Sequence, residues 1–428
     1  RIGPPARPAM QALLRALADP SAPLRHAAVV ALGELGVAAA GEASVPVPPA
    51  VLAALTDRLN ERLSDAEESV RHAAAQALQQ VAPGAPAQPP DLEALLATLD
   101  RLVPALMAEL HVPGVAVALI HQRQPSASRV YGVRSAVSRE PVDAHTVFEA
   151  ASMSKPVLAL LAMQLVDQQR LALDRPLVAY GVERLVPDLP DKRLVTARMA
   201  LSHTSGYPNW RPGGEEVEGP LPLLFKPGAR FAYSGEGIFY LQRRMEHITG
   251  LPLDPMAAQM LFGPLGLVHT GFGWTPALGR HQASGHQDDG TLLTTSRYLH
   301  PNAAYSLYTT AGDYARLLAE VMRAEQGASS LLSQQAAREM LKPQVAVGSR
   351  DPIQRPGAAR GLAVSWGLGW SLNHTAAGDI AHHSGANSTG FRSFSQFSPT
   401  RGNGIVILTN GTQGDALWTR LMAAIGDL

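Results

Sequence analysis

The chain has 428 residues, 46% of them hydrophobic, which is enough to bury a full core and to build more than one domain. Its 36 Lys and Arg balance 36 Asp and Glu, so charge gives no reason to expect nucleic acid or an anionic membrane as partner. Cysteine is absent, which excludes disulfides, thiolate metal sites and thiol catalysis and leaves Ser, Thr, Lys or a carboxylate as any nucleophile.

Near the start, Leu24-Arg25-His26-Ala27-Ala28-Val29-Val30-Ala31-Leu32 recurs 46 residues later as Val70-Arg71-His72-Ala73-Ala74-Ala75-Gln76-Ala77-Leu78. Each copy follows an apolar segment, 10–17 or 51–59, and a polar break at Asp19-Pro20 or Asp65, so the unit reads as helix, turn, helix. The period and texture resemble HEAT repeats, whose stacks offer extended surfaces to protein partners. Two copies need neighbours, either missing repeats or the rest of the chain. The chain opens on Arg1 rather than Met, which suggests that an upstream segment, a signal peptide or anchor among the options, was removed. No run of about 18 apolar residues occurs, so no membrane span is expected. Prolines between residues 83 and 90 deny a helix and mark a linker. The expected organisation is therefore a repeat module at 1–82, a linker at 83–90 and a second domain at 91–428.

In that domain a periodic helix over 91–110 precedes strands at 114–120 and near 129–133, and a long helix is expected to open at Ser152. Helices and loops dominate 151–345. Strands at 363–372, 380–383, 391–397 and 404–408 lead to a terminal helix from about 416. The pattern predicts an α+β fold: one antiparallel sheet flanked by helices and interrupted by an all-helical insertion, preceded by a small all-α module.

Ser152-Met153-Ser154-Lys155 places a hydroxyl and an amine one turn apart at a helix start. A desolvated amine there can take the hydroxyl proton, and the helix N-terminus favours developing negative charge. Only four lysines occur, and no other Ser has a Lys three positions on; a solvated Lys beside an N-cap Ser is the plain alternative. Tyr233-Ser234-Gly235, after Phe225-Lys226-Pro227-Gly228, offers a phenol that a nearby cation would help to ionise; alone it could equally be a turn tyrosine. His383-Ser384-Gly385-Ala386 ends a predicted strand. There Gly385 would admit substrate to the strand edge, and the Ala386 N–H would join the Ser152 N–H in an oxyanion hole.

These elements, in this order, resemble the serine β-lactamase and penicillin-binding-protein superfamily, closest to its class C β-lactamase and esterase branch. Supporting segments look similar: His111-Val112-Pro113-Gly114, Thr146-Val147-Phe148-Glu149, Leu201-Ser202-His203-Thr204-Ser205-Gly206 and Val406-Ile407-Leu408-Thr409-Asn410. The resemblance implies acylation of Ser152, proton transfer by Lys155 and Tyr233, and His383-Ser384-Gly385 where the family has Lys-Thr-Gly. It also favours export. Two departures stand out. Gly235 replaces the Asn of the family's Tyr-x-Asn, removing an amide that holds a substrate carbonyl and the lysine. His383 replaces a fixed cation, so an anionic substrate would bind more tightly on acidification through its titration, unless His383 stays neutral and only hydrogen-bonds.

The expected activity is acyl transfer through a Ser152 ester, esterase-like toward small or medium acyl substrates. D-amino-acid peptidase or weak β-lactamase action is the enzymatic alternative, and a partner-binding repeat protein with an inactive second domain the non-enzymatic one. Neither cofactor nor metal is called for: His382 and His383 are adjacent on a strand and point to opposite faces, and no His-Glu-x-x-His, Gly-x-Ser-x-Gly or phosphate-cradling loop occurs. His203 is expected to order its own turn, and Trp210, Trp366, Trp370 and Tyr207 to be packing residues that could line the acyl pocket.

Overall fold

The computed structural model describes residues 12–40, 58, 59, 62, 70, 91–181, 190–212, 221–348, 363–375, 378–426 and 428. The second repeat copy beyond Val70 and the expected linker at 83–90 lie outside the described residues. Helix α1 (Ala22–Ala40) carries the first copy. Its Ala28, Val29 and Leu32 share one apolar cluster with Leu17, Leu59 and Val70, the residue that opens the second copy. Among the described residues no helix is long and apolar enough to cross a membrane.

Helix α2 (Leu92–Leu110) starts where the Asp91 side chain accepts the Glu93 N–H, and stops where His111 turns left-handed. Strands β1 (Gly114–His121), β2 (Gln124–Gly132) and β3 (Phe148–Ala151) follow, then helix α3 (Ser154–Asp167). The middle of the chain holds α4 (Ala197–Leu201), α5 (Gly235–Thr249), β4 (Leu307–Thr309), α6 (Ala311–Glu325) and α7 (Gln334–Met340). Strands β5 (Val345–Ala346), β6 (Val364–Trp366), β7 (Ser371–Thr375), β8 (Gly378–Ala386), β9 (Arg392–Ser398) and β10 (Asn403–Thr409) lead to helix α8 (Gly414–Ile425).

One eight-stranded sheet runs β2-β1-β10-β9-β8-β7-β6-β5, antiparallel at every pairing. The first strands thus pair with the last, and everything between is inserted. Period-two alternation splits the core into two layers. Val115, Val117, Leu119, Ile405 and Ile407 pack under α2 and α8, where Phe394 stacks on Trp418 at 4.4 Å between ring centroids. Ala116, Ala118, Val406 and Leu408 face the opposite way, into the large cluster that contains the apolar side of α3. The α+β expectation is met.

Three local expectations are corrected. Residues 363–372 form two strands, because the chain turns between Gly367 and Trp370: Gly367 N–H donates to Trp370 O at 2.8 Å and Gly369 has φ of +87°. The long helix opens at Ser154, and Ser152 sits on the turn before it, behind Ala151 with a left-handed φ of 51°. A second small sheet pairs β3, which no expected strand covered, with β4, inside the stretch that helices and loops were expected to dominate. It braces the nucleophile turn from the side of the insertion.

Candidate active site

Packing of α3 fixes the first two groups. The helix is buried from Ser154 to Leu165, so Lys155 is carried into the core with a relative exposure of 0%. Its Nζ donates to Ser152 Oγ at 3.0 Å and to the Ala304 carbonyl at 2.7 Å, and stands 4.7 Å from the centre of the Tyr233 ring. A carbonyl serving an ammonium is worth about 1.5–3 kcal/mol, less than the loss of bulk water costs. Burial therefore lowers the Lys155 pKa from 10.5 to about 7. At neutral pH a large share of this amine is unprotonated and can accept a proton.

Tyr233 comes from the loop that ends at Ser234, whose hydroxyl caps α5 by accepting the Gly237 N–H at 2.9 Å. Burial pushes the phenol pKa well up, opposed only in part by a hydrogen bond with Ser152. The sequence-based expectation that a nearby cation would ease its ionisation is thus reversed, because burial of the phenol itself disfavours its charged form. The phenol lies 3.4 Å from His383 Nε2.

His383 is buried, and its Nδ1 donates to the Ser384 carbonyl at 2.7 Å, which leaves Nε2 as an acceptor facing the phenol. Burial, then the Lys155 charge, lower its pKa from 6.5 to about 3. It is neutral across any ordinary working range. The acid-driven capture of an anion considered from sequence is therefore replaced by its alternative, a neutral hydrogen-bonding ring. Gly385 is needed for close approach: a Cβ there would lie 2.2 Å from Ala150 O and 2.9 Å from Ser152 N. Strand β8 thereby meets the nucleophile turn directly, with Ala386 as its last, exposed residue.

Ser152, Lys155, Tyr233, His383 and Gly385 are thus brought together. Gly235, two residues after Tyr233, offers them no donor: it is buried, and its N–H is taken by Asn209 Oδ1 at 2.9 Å and Asn209 O at 3.1 Å. His203 was underestimated. It accepts the Ser234 N–H on Nδ1 at 3.1 Å and lies 4.2 Å from the Tyr233 ring between centroids, so it seats the phenol's loop. Trp366 joins this group, 5.8 Å from Tyr233 and 5.6 Å from His383, whereas Trp370 packs on Phe397 and Tyr207 on Tyr240 in the core. Ala304 supplies a backbone carbonyl that no motif could announce. His382 faces away from His383, toward Asn373 Oδ1 at 3.3 Å. Among the described residues no group of three His, Asp or Glu is placed to hold a metal ion. A cleft of about 320 Å³ beside Asp143, His145, His269 and Arg316 has none of the five grouped residues on its wall.

Comparison with known proteins bears on the family and the fold. The family model described as Beta-lactamase matches residues 99–427. Penicillin-binding protein 4 of Amycolatopsis lactamdurans is 30% identical over 359 residues, covering 74% of this chain and 86% of the relative. Esterase EstB of Burkholderia gladioli is 28% identical over 208 residues, 42% of this chain, and the match spans only 53% of the esterase. The solved D-alanine carboxypeptidase AmpC of Burkholderia cenocepacia has the same fold, with a TM-score of 0.62 at 22% identity over 78% of this chain and 98% of that one.

Proposed function

The chain belongs to the Beta-lactamase family of serine hydrolases, and on that premise we propose that it hydrolyses small or medium carboxylic esters through an acyl-enzyme on Ser152. The observation that carries this reading is the buried Lys155 amine 3.0 Å from the Ser152 hydroxyl. Unprotonated Lys155 takes the Oγ proton as Ser152 attacks the ester carbonyl, forming a tetrahedral alkoxide. The N–H groups of Ser152 and Ala386 receive that charge, and donors of this kind are each worth about 10²–10³ in rate. Tyr233, held protonated, relays the proton from Lys155 to the departing alcohol and takes its own replacement from the amine. Water then attacks the ester of Ser152 by the reverse path, releasing the acid and the free serine. In the resting site His383 accepts from the Tyr233 hydroxyl and holds the phenol in place until its proton turns to the leaving oxygen.

Esters are preferred to β-lactams and D-peptides because the amide that would grip an amide-bearing substrate is missing at Gly235. Turnover of a chromogenic ester without turnover of a chromogenic cephalosporin is expected, and the opposite pattern overturns the preference. A fluorophosphonate should label the native chain and leave Ser152→Ala unlabelled; equal labelling of the two removes the acyl-enzyme altogether.

The division into HEAT-like repeats at 1–82, a linker at 83–90 and a catalytic domain at 91–428 belongs to the same proposal. The apolar cluster joining Leu17, Val29, Leu59 and Val70 supports it, since it brings apolar side chains of the two expected units together. The repeats are read as the surface for a protein partner. A chain starting at Asp91 should then keep its ester turnover within about twofold, and collapse of the truncated domain would count against the division.

A further inference from the structure

We propose that Trp210 and Tyr305 form a fixed aromatic shelf that receives a flat, aromatic acyl group, and that Trp210 occupies the place left by the amide missing at Gly235. This rests on the ester-hydrolase reading and names its substrate class. A Cβ built on Gly235 would lie 2.7 Å from Trp210 Cη2 and 2.8 Å from Cζ3, so the indole fills the space in which an Asn side chain would begin. The indole is nonetheless partly open to solvent, with Trp210 39% exposed.

The indole is held from both sides along the chain. Asn209 receives the N–H groups of Gly235 and Glu236 on its carbonyl, at 3.1 and 3.2 Å. Arg211 donates from Nε to Glu236 Oε1 at 2.8 Å and from Nη2 to Oε2 at 2.6 Å, both partners buried. Segment 209–211 is therefore clamped to the first turn of α5, and Trp210 has little freedom left to lose when a ligand lands on it. Its edge meets the Tyr305 ring at 5.7 Å, and Tyr305 meets Tyr298 at 5.1 Å. Tyr305 follows Ala304, whose carbonyl holds Lys155, and Tyr298 donates its hydroxyl to Glu149 at 2.9 Å, three residues before the nucleophile. Asn387, next to Ala386, donates to the same Glu149 oxygen at 2.8 Å. The row of rings thus runs from the Tyr233 loop, past the residue whose carbonyl holds Lys155, to the exit of β8. A carbonyl substituent lying there finds ring faces and edges instead of an amide, which favours aromatic contacts worth about 0.5–1.5 kcal/mol each.

The experiment compares 4-nitrophenyl benzoate with 4-nitrophenyl acetate, which share their alcohol. In Trp210→Ala the ratio of kcat/KM for benzoate over acetate should fall about tenfold, about 1.4 kcal/mol, and Trp210→Phe should recover most of it. An unchanged ratio, or an equal loss on both esters, overturns the shelf, the second result meaning that Trp210 only props the loop. Labelling of Ser152 by a fluorophosphonate separates the two levels. Labelled protein with no acyl selectivity refutes the shelf alone, and unlabelled native protein refutes the hydrolase reading and the shelf with it.

Discussion

Lys155 and Arg211 are both buried cations, yet their surroundings differ in the one respect that decides chemistry. Arg211 meets Glu236 through a planar two-point contact, with its own backbone N–H donating to the same carboxylate at 3.0 Å. Lys155 has a hydroxyl and a carbonyl, and no carboxylate is paired with it among the described residues. Burial with a counter-charge holds geometry; burial without one changes acidity. The first arrangement fixes the Trp210 segment, and the second makes a base of an amine. A stable fold tolerates the second only where function requires it.

The sharpest test of that contrast removes each cation in turn. Lys155→Met should lower ester kcat/KM and the rate of fluorophosphonate labelling by about 10³-fold, within the range for a general base. It should also raise the melting temperature, since it deletes a charge that burial disfavours. Arg211→Met should do the opposite to stability, costing about 3–5 kcal/mol in a denaturant titration because Glu236 is left charged and buried. Adding Glu236→Gln should restore a large part of it. A Lys155→Met protein that melts lower than its parent would break the comparison.

Acidity gives the next test. The unprotonated amine is the active form, so kcat/KM should rise about tenfold per pH unit below a midpoint of about 7, then level off. His383, at about 3, adds no step between pH 5 and 9, so His383→Gln should keep the same acid limb while lowering its plateau. Stability follows the linkage of the same group. The folded pKa of Lys155 lies below its unfolded 10.5, so the unfolded chain holds more protons between about 7 and 10.5 and stability rises with pH across that window. In Lys155→Met that contribution to the slope vanishes. An acid limb that survives Lys155→Arg at the same midpoint would assign it to another group.

What the sequence made legible is what short spacing and alternation encode. Ser152 and Lys155 are three residues apart, and the paired termini of the sheet show up as apolar runs at both ends of the domain. The rest depends on contacts between distant segments. The carbonyl of Ala304 reaches Lys155 across 149 positions, and Ser234 meets His203 across 31. The acidity of Tyr233 was misread for the same reason: a tyrosine near a lysine reads as easily ionised until the depth of both is known. Gly235 carried half of its message. Its lack of a side chain announced a missing amide, while the indole packed against it comes from Trp210, 25 residues upstream, which the sequence offered only as one of four aromatic candidates.

The smallest effect expected is at His203, and it separates holding from reacting. The ring is neutral, since burial drives its pKa well down, and it touches the phenol's loop rather than the reacting atoms. His203→Ala leaves the Ser234 N–H buried and unpaired and removes the ring beside Tyr233, so kcat should fall about tenfold, of the order of one lost buried hydrogen bond. KM should move little, and the acid limb should stay at its midpoint because Lys155 is untouched. Asn keeps an acceptor near the position of Nδ1, so His203→Asn should recover most of the loss. Recovery would place the contribution of His203 in the Ser234 bond; failure of Asn to recover any of it would place it in the stack on Tyr233 instead.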